Sequence, residues 1–206
     1  LGLTAEYREA DFAKIIPAVQ AGTFDMGMSS FTDTKEREKQ VDFVTYYSAG
    51  IQWAQQKDKA IDPNNACGKK VAVLAGTTTE QRLRDTLARR NVAATVVTIN
   101  NANEGVAMLE AGSVDAYAGD KIKLVGLAAQ AKDPKKIAML AEDLSIEPYA
   151  FALPRNDSAL RLEVNRALTQ VYMGGAIETI YAQWLGPLGR PSGLLAAMYL
   201  LYSIPD

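Results

Sequence analysis

Three short stretches of this 206-residue chain carry residue types suited to holding a small charged molecule. The first is Met28-Ser29-Ser30-Phe31-Thr32-Asp33-Thr34-Lys35-Glu36-Arg37, small hydroxyl residues that lead into charged, helix-favouring ones and end in an arginine. Ser, Thr and Asp cap helices because their side-chain oxygens accept the N–H groups of the first turn. Asp33 or Thr34 is therefore expected as an N-cap, with Lys35 to Gln40 as a short helix. A helix start offers N–H donors and the positive end of the dipole, which suits an anion. Arg37 adds a planar fork that grips a carboxylate through two parallel hydrogen bonds. The stretch reads as a carboxylate-binding corner. The plainer alternative is a capped surface helix with a solvated arginine.

Val71-Ala72-Val73-Leu74-Ala75-Gly76-Thr77-Thr78-Thr79-Glu80 is the second stretch, an apolar strand that runs into glycine and hydroxyls before a helix. The third, Gly112-Ser113-Val114-Asp115-Ala116-Tyr117-Ala118-Gly119-Asp120, is a strand-like run ending in an acid. A free amino acid presents a carboxylate and an ammonium on one carbon. Reading both groups takes a cationic fork with N–H donors and, close by, an acid. Arg37 can supply the fork and Asp120 the acid, while Thr77 and Thr78 can offer N–H groups and hydroxyls to the carboxylate. Asp120 also fits the role of a simple helix cap.

The elements that must position these residues alternate. Leu1 to Tyr7 reads as a short strand, and Asp11 as the cap of a helix with Phe12, Ile15, Ile16 and Val19 on one face, ended near Gly22. Phe24 to Met28 is a strand leading to the first corner. Val41 to Tyr47 is extended, and Ser48 to Gln55 is β-prone. After a polar, proline-bearing loop over Lys57 to Gly68, strands at 69–74, 95–99, 114–118 and 137–140 alternate with helices at 79–90, 103–111 and 121–131. That order argues for a parallel α/β sheet. Pro148 to Leu153 reads as a further strand, followed by helices over 158–174 and 177–185. The tail from Gly186 to Asp206 holds an apolar run among prolines that is expected to pack on the first lobe.

Composition excludes several functions. No histidine is present, which removes the commonest metal ligand and any Ser-His or Cys-His catalytic pair. Cys67 is the only cysteine, so neither an internal disulfide nor a cysteine metal cluster can form. A net charge of −2 without a basic run argues against a nucleic-acid surface. No apolar run reaches the roughly 20 residues that span a bilayer, and no signal peptide is visible.

The pattern "glycine, one residue, apolar, Asp, strand" occurs twice, at Gly22-Thr23-Phe24-Asp25 and Gly112-Ser113-Val114-Asp115. With the corners at Arg37, Thr77-Thr78 and Asp120, the chain resembles the periplasmic amino-acid-binding proteins of polar amino-acid ABC importers, from about Thr4 to Leu185. The resemblance implies an α/β, two-lobed, type II periplasmic-binding-protein fold, each lobe a mainly parallel sheet flanked by helices. Lobe 1 would comprise 1–51 and 152–206 and lobe 2 would comprise 52–151, with crossings near Ile51 and Phe151. The first strand and helix of lobe 1 would precede Leu1.

By the same resemblance Arg37 clamps the α-carboxylate, and Thr77 and Thr78 donate to it from the other lobe. Asp120 receives the α-ammonium, the Ser30 carbonyl takes a second ammonium bond, and the Thr32 hydroxyl lies nearby. The implied function is to bind a free L-amino acid between lobes that close around it, and to deliver it to a membrane permease from the periplasm. Neither catalysis nor a cofactor is implied, and the full-length protein is expected to be a monomer. Gly76 to Glu80, Asp133-Pro134-Lys135-Lys136 and the proline-bearing tail lean toward glutamate/aspartate binders. The alternatives are a ligand-sensing domain of a receptor and a cyclohexadienyl or arogenate dehydratase on the same fold.

Overall fold

The computed structural model describes residues 4–140, 144–186, 191 and 193–203. The chain divides into two compact units, Leu1–Ser48 with Glu147–Asp206, and Ala49–Ile146. The boundaries expected from the sequence, after residues 51 and 151, lie a few residues further along. Two strands carry the chain through the boundaries: β2 (Asp42–Gln56) and β7 (Ser145–Leu153). The extended segment and the β-prone segment expected separately are thus one continuous strand of 15 residues.

In the second unit, β3 (Lys70–Leu74) lies between β4 (Thr95–Ile99) and β5 (Ala116–Asp120), parallel to both. β2 runs antiparallel to β5 and to β6 (Ile137–Met139). The expected parallel arrangement holds for the three central strands. The strand through which the chain enters, β2, runs the other way. Successive side chains of a strand point to opposite faces, and the core shows this directly. Val71, Val73, Ala116, Ala118 and Trp53 join one apolar cluster with Leu83 and Leu87 of α2 (Thr78–Arg89). Ala72, Tyr117 and Ala54 join the other with Val106 and Leu109 of α3 (Ala102–Glu110) and Leu124 of α4 (Lys121–Ala129). The sheet is covered on both faces, so its central strands read as continuous apolar runs. Gly105 stands inside α3 because a Cβ there would meet the Tyr117 ring at 2.7 Å.

In the first unit, α1 (Phe12–Gln20) packs Ile16 and Val19 against Phe31 of β1 (Gly27–Thr32), with Val41 and Ala152. The crossing is close: a Cβ on Gly27 would stand 2.8 Å from Ile15 Cγ2. β1 pairs antiparallel with β7, but irregularly. Gly27 faces Ala152 and Phe31 faces Ala150, so β1 takes four steps where β7 takes two. After β7, α5 (Ser158–Met173) and α6 (Ala176–Leu185) bury Tyr172 and Tyr181 with Leu195 and Tyr199 of α7 (Gly193–Tyr202). The apolar tail therefore packs within this unit. Pro187 and Pro205 fall outside the described residues. The strand expected at the start does not form over residues 4–7, and residues 1–3 lie outside the described part.

Candidate functional site

Ser30, Thr32 and Arg37 belong to the first unit. The helix expected over Lys35 to Gln40 is only a single 3₁₀ turn, Arg37–Lys39. Neither Asp33 nor Thr34 caps an α-helix. Instead the Thr34 Oγ1 accepts the Arg37 backbone N–H at 3.2 Å, and the Asp33 N–H donates to the Pro148 carbonyl at 3.0 Å, extending the β1–β7 ladder. A run of Lys35-Glu36-Arg37-Glu38-Lys39 favours helix in isolation; here the backbone is committed to a turn that returns directly into β2. The corner therefore presents the Arg37 side chain without an α-helix dipole behind it.

The Arg37 side chain is half-buried and held by a carbonyl and a stacked pair of aromatic rings. Nη1 donates to the Thr32 carbonyl at 2.9 Å. Its Cζ lies 5.7 Å from the ring centres of both Phe12 and Phe31, which stack on each other at 4.6 Å. Aromatic faces attract a guanidinium and keep water from one side of it. A fork fixed in this way gives up little side-chain freedom when it meets a carboxylate. Thr32 is only 4% exposed, so its established part is the carbonyl that orients Arg37.

Ser30 lies in the irregular part of β1, and its Oγ is buried with no hydrogen-bond partner among the described residues. The neighbouring Ser29 carbonyl accepts from the Tyr46 hydroxyl at 3.2 Å, and the Tyr46 ring stacks on Phe151 at 4.3 Å. Asp33 has its carboxyl raised above the ordinary value, first by burial and then by the Glu38 charge.

Thr77, Thr78 and Asp120 belong to the second unit and sit at one edge of its sheet. β3 and β5 are parallel neighbours with Val73 beside Ala118, so Ala75 and Asp120 leave the sheet at the same level. Neighbouring strands lie about 4.8 Å apart. In open α/β sheets this carboxyl edge is where ligands bind.

The strand-to-helix turn after β3 begins with Gly76 at φ +71, a conformation that favours glycine. Thr77 is the N-cap of α2: its Oγ1 accepts the Glu80 N–H at 3.3 Å and donates to the Leu74 carbonyl at 2.7 Å. Glu80 reaches back to the Gly76 N–H at 3.0 Å and pairs with Arg84 at 2.9 Å. The Gly76 N–H and then Arg84 hold its carboxyl below the ordinary range. The Thr77 hydroxyl is thus committed to the turn. Thr78 is the first residue of α2, where helix geometry directs N–H groups outward past the helix end.

Asp120 ends β5 and occupies the N-cap position of α4, yet its side chain makes no capping bond to that helix. Its backbone pairs with Ile51 of β2. The negative charge also bears on the buried Tyr117 hydroxyl, which burial first and Asp120 second push up to about 12. The acid is therefore a charge held at the edge, and not a cap.

Two features escape a reading of the sequence. Phe12 looks like one more apolar position of α1, but it stacks on Phe31 and the pair lies beside Arg37. Glu147 is 1% exposed on β7. An acid inside the run Ile146 to Leu153 is the signal that could have drawn attention to it.

The chain belongs to the bacterial extracellular solute-binding proteins, family 3, whose model matches residues 1–187. It is 35% identical over 202 residues to an arginine-binding protein of Corynebacterium glutamicum, covering 95% of this chain and 64% of that one. It is 33% identical over 181 residues to an L-glutamate/L-aspartate-binding protein of Pseudomonas aeruginosa, covering 87% of this chain and 60% of that protein. The chain thus spans about three fifths of the length of these relatives. Among solved structures, an ancestral arginine-binding protein bound to arginine matches with a TM-score of 0.79 at 32% identity, covering 89% of this chain and 81% of that one. The fold is the two-lobed α/β, type II periplasmic-binding-protein class. No helix among the described residues is long and apolar enough to cross a membrane.

Proposed function

We propose that this chain binds a free L-amino acid as the capture component of an ABC-type importer outside the cytoplasmic membrane, without catalysing a reaction. The observation that carries the reading is the carboxyl edge of the second unit. There the turn that leads from β3 to the start of α2 at Thr78 and the non-capping acid Asp120 leave neighbouring parallel strands at the same level. These groups complement the carboxylate and the ammonium carried by one carbon. In the first unit Arg37, oriented by the Thr32 carbonyl and two aromatic rings, is a charge-assisted fork suited to a carboxylate. Ser30 contributes its backbone carbonyl to the ammonium, and Thr32 lies at the margin. Thr77 acts by building the turn that presents Thr78.

A ligand that binds one conformation of such a protein better than another favours that conformation. It thereby shifts a conformational equilibrium through differential affinity. A permease that recognises the liganded arrangement would complete the transport cycle. The relatives' names span basic and acidic amino acids, so the side-chain class is the quantity to measure.

The test is isothermal titration of the unfolded-and-refolded protein, free of retained ligand, with the standard L-amino acids, arginine, glutamate and aspartate first. Binding at micromolar or tighter dissociation constants, abolished by Arg37→Ala and by Asp120→Ala, is the expected result. A folded protein that binds no amino acid overturns the proposal.

A further inference from the structure

The second unit contains a cavity of about 190 Å³ that shares none of the six residues assigned to the amino acid. It opens between α2 and the face of the sheet that α2 covers. Trp53, Leu83 and Leu87 form its apolar wall, and Arg82, Thr86 and Arg89 lie along its α2 side. Two observations distinguish it from an ordinary packing gap. The first is Trp53, which is 1% exposed and whose Nε1 is buried with no hydrogen-bond partner among the described residues. A buried N–H without an acceptor is costly, and native structures nearly always satisfy it. The second is the sign of the charge: among the described residues of the wall, both ionisable groups are arginines. Arg89 already leans toward the cavity side of the helix, with Nη2 donating to the Thr86 Oγ1 at 3.2 Å.

From this juxtaposition we propose that the cavity is a second ligand site, for a small organic anion with an apolar ring or branched body. The body would fill the wall formed by Trp53, Leu83 and Leu87. The anionic end would lie at the arginine side, where Thr86 adds a hydroxyl, and an oxygen of the ligand would give the Trp53 N–H its acceptor. Size agrees with the class. An apolar cavity of about 150 Å³ is enough to hold benzene, so 190 Å³ admits a single ring or a short branched chain with one carboxylate. The same volume is too small for a nucleotide or a peptide, since pockets for drug-sized ligands begin at about 300 Å³.

Trp53 supplies the readout, because it lines the cavity while the other tryptophan, Trp184, is 72% exposed. The experiment uses the whole chain carrying Trp184→Phe, and follows Trp53 emission during titration with benzoate. Benzamide serves as the neutral isostere. The expected result is a saturable change with benzoate, at least tenfold weaker with benzamide, and lost in Thr86→Phe, which plugs the cavity from a half-exposed position on α2. Arg82→Gln combined with Arg89→Gln, on an exposed helix surface, should reduce the benzoate affinity toward that of benzamide. A linear, unsaturating response would mean that the cavity takes only water, and equal responses to the two probes would remove the anion class. Either result overturns the proposal. Loss of the benzoate response in Arg37→Ala would also overturn it, by placing the probe at the amino-acid corner. The tryptophan readout requires no amino acid, so it stands or falls separately from the proposed transport function.

Discussion

Thr77 and Asp120 occupy equivalent places in the fold, each the residue between a parallel strand and the helix it feeds, and they are used in opposite ways. The Thr77 hydroxyl closes its own turn, accepting from Glu80 and donating to Leu74. Asp120 stands at the N-cap of α4 and makes no capping bond. A capping residue can be lost from a strand–helix corner only at a cost in stability. An acid that does not cap still places its charge at the corner. Under the proposed function the difference separates a residue that builds the corner from one that would meet the ligand, although both types are common N-caps.

Variants at these positions can break the comparison. The largest effect is expected at the acting residues: Asp120→Asn and Arg37→Ala should each weaken amino-acid binding by titration calorimetry about thirtyfold to several thousandfold. That range corresponds to the roughly 2–5 kcal/mol lost when one partner of a hydrogen-bonded charge pair is removed. Asp120→Asn should lower the urea midpoint less than loss of a helix cap does, because the side chain makes no capping bond to α4. A large drop in its stability would return Asp120 to the structural class.

Thr77→Ala should do the reverse. It removes a cap, so the unfolding free energy from urea titration should fall by about 1 kcal/mol, and amino-acid affinity should change no more than a few-fold. Thr77→Asn, which retains an acceptor, should restore most of the stability. If Thr77→Ala abolished binding while the protein stayed stable, the hydroxyl would belong to the ligand after all.

A smaller effect, read only in acid, concerns Glu80. Its carboxyl is held below the ordinary range by the Gly76 N–H and by Arg84. A depressed folded value means that the ionised form is favoured by folding. The contribution is therefore complete above the unfolded value of about 4.3, and it disappears as pH falls through the lower, folded one. Glu80→Gln should flatten this part of the stability–pH curve between about pH 5 and 3, measured by thermal melts across that range. An unchanged curve would show that the Gly76–Glu80 bond does not govern the turn.

The alternation of strands and helices in the second unit was legible because a doubly covered parallel sheet imposes apolar runs such as Val71-Ala72-Val73, bounded by glycines. Thr77 and Thr78 were legible as a helix start for the same local reason, since capping chemistry acts within a few residues. The first corner was misread as a helix because its charged residues favour one. The bond from Asp33 to Pro148, more than a hundred positions away in the chain, continues the ladder that precedes the turn, and nothing local announces it. Phe12 escaped for a related reason, since an amphipathic pattern shows that a ring is buried but not that it flanks a guanidinium. The non-capping state of Asp120 was likewise not legible, because cap and ligand partner use the same residue type at the same place.

The irregular ladder between β1 and β7 has a consequence for how the chain can change length. Two extra residues are accommodated between Gly27 and Phe31 without disturbing the pairs on either side. Because side chains repeat every second position along a strand, a deletion of two there would leave Phe31 and Thr32 on the faces they occupy now. A deletion of one would turn both over, sending the aromatic that flanks Arg37 outward and the carbonyl that orients it the wrong way. This segment can therefore vary in length only in steps of two, a parity rule that insertions and deletions around Ser30 would have to obey.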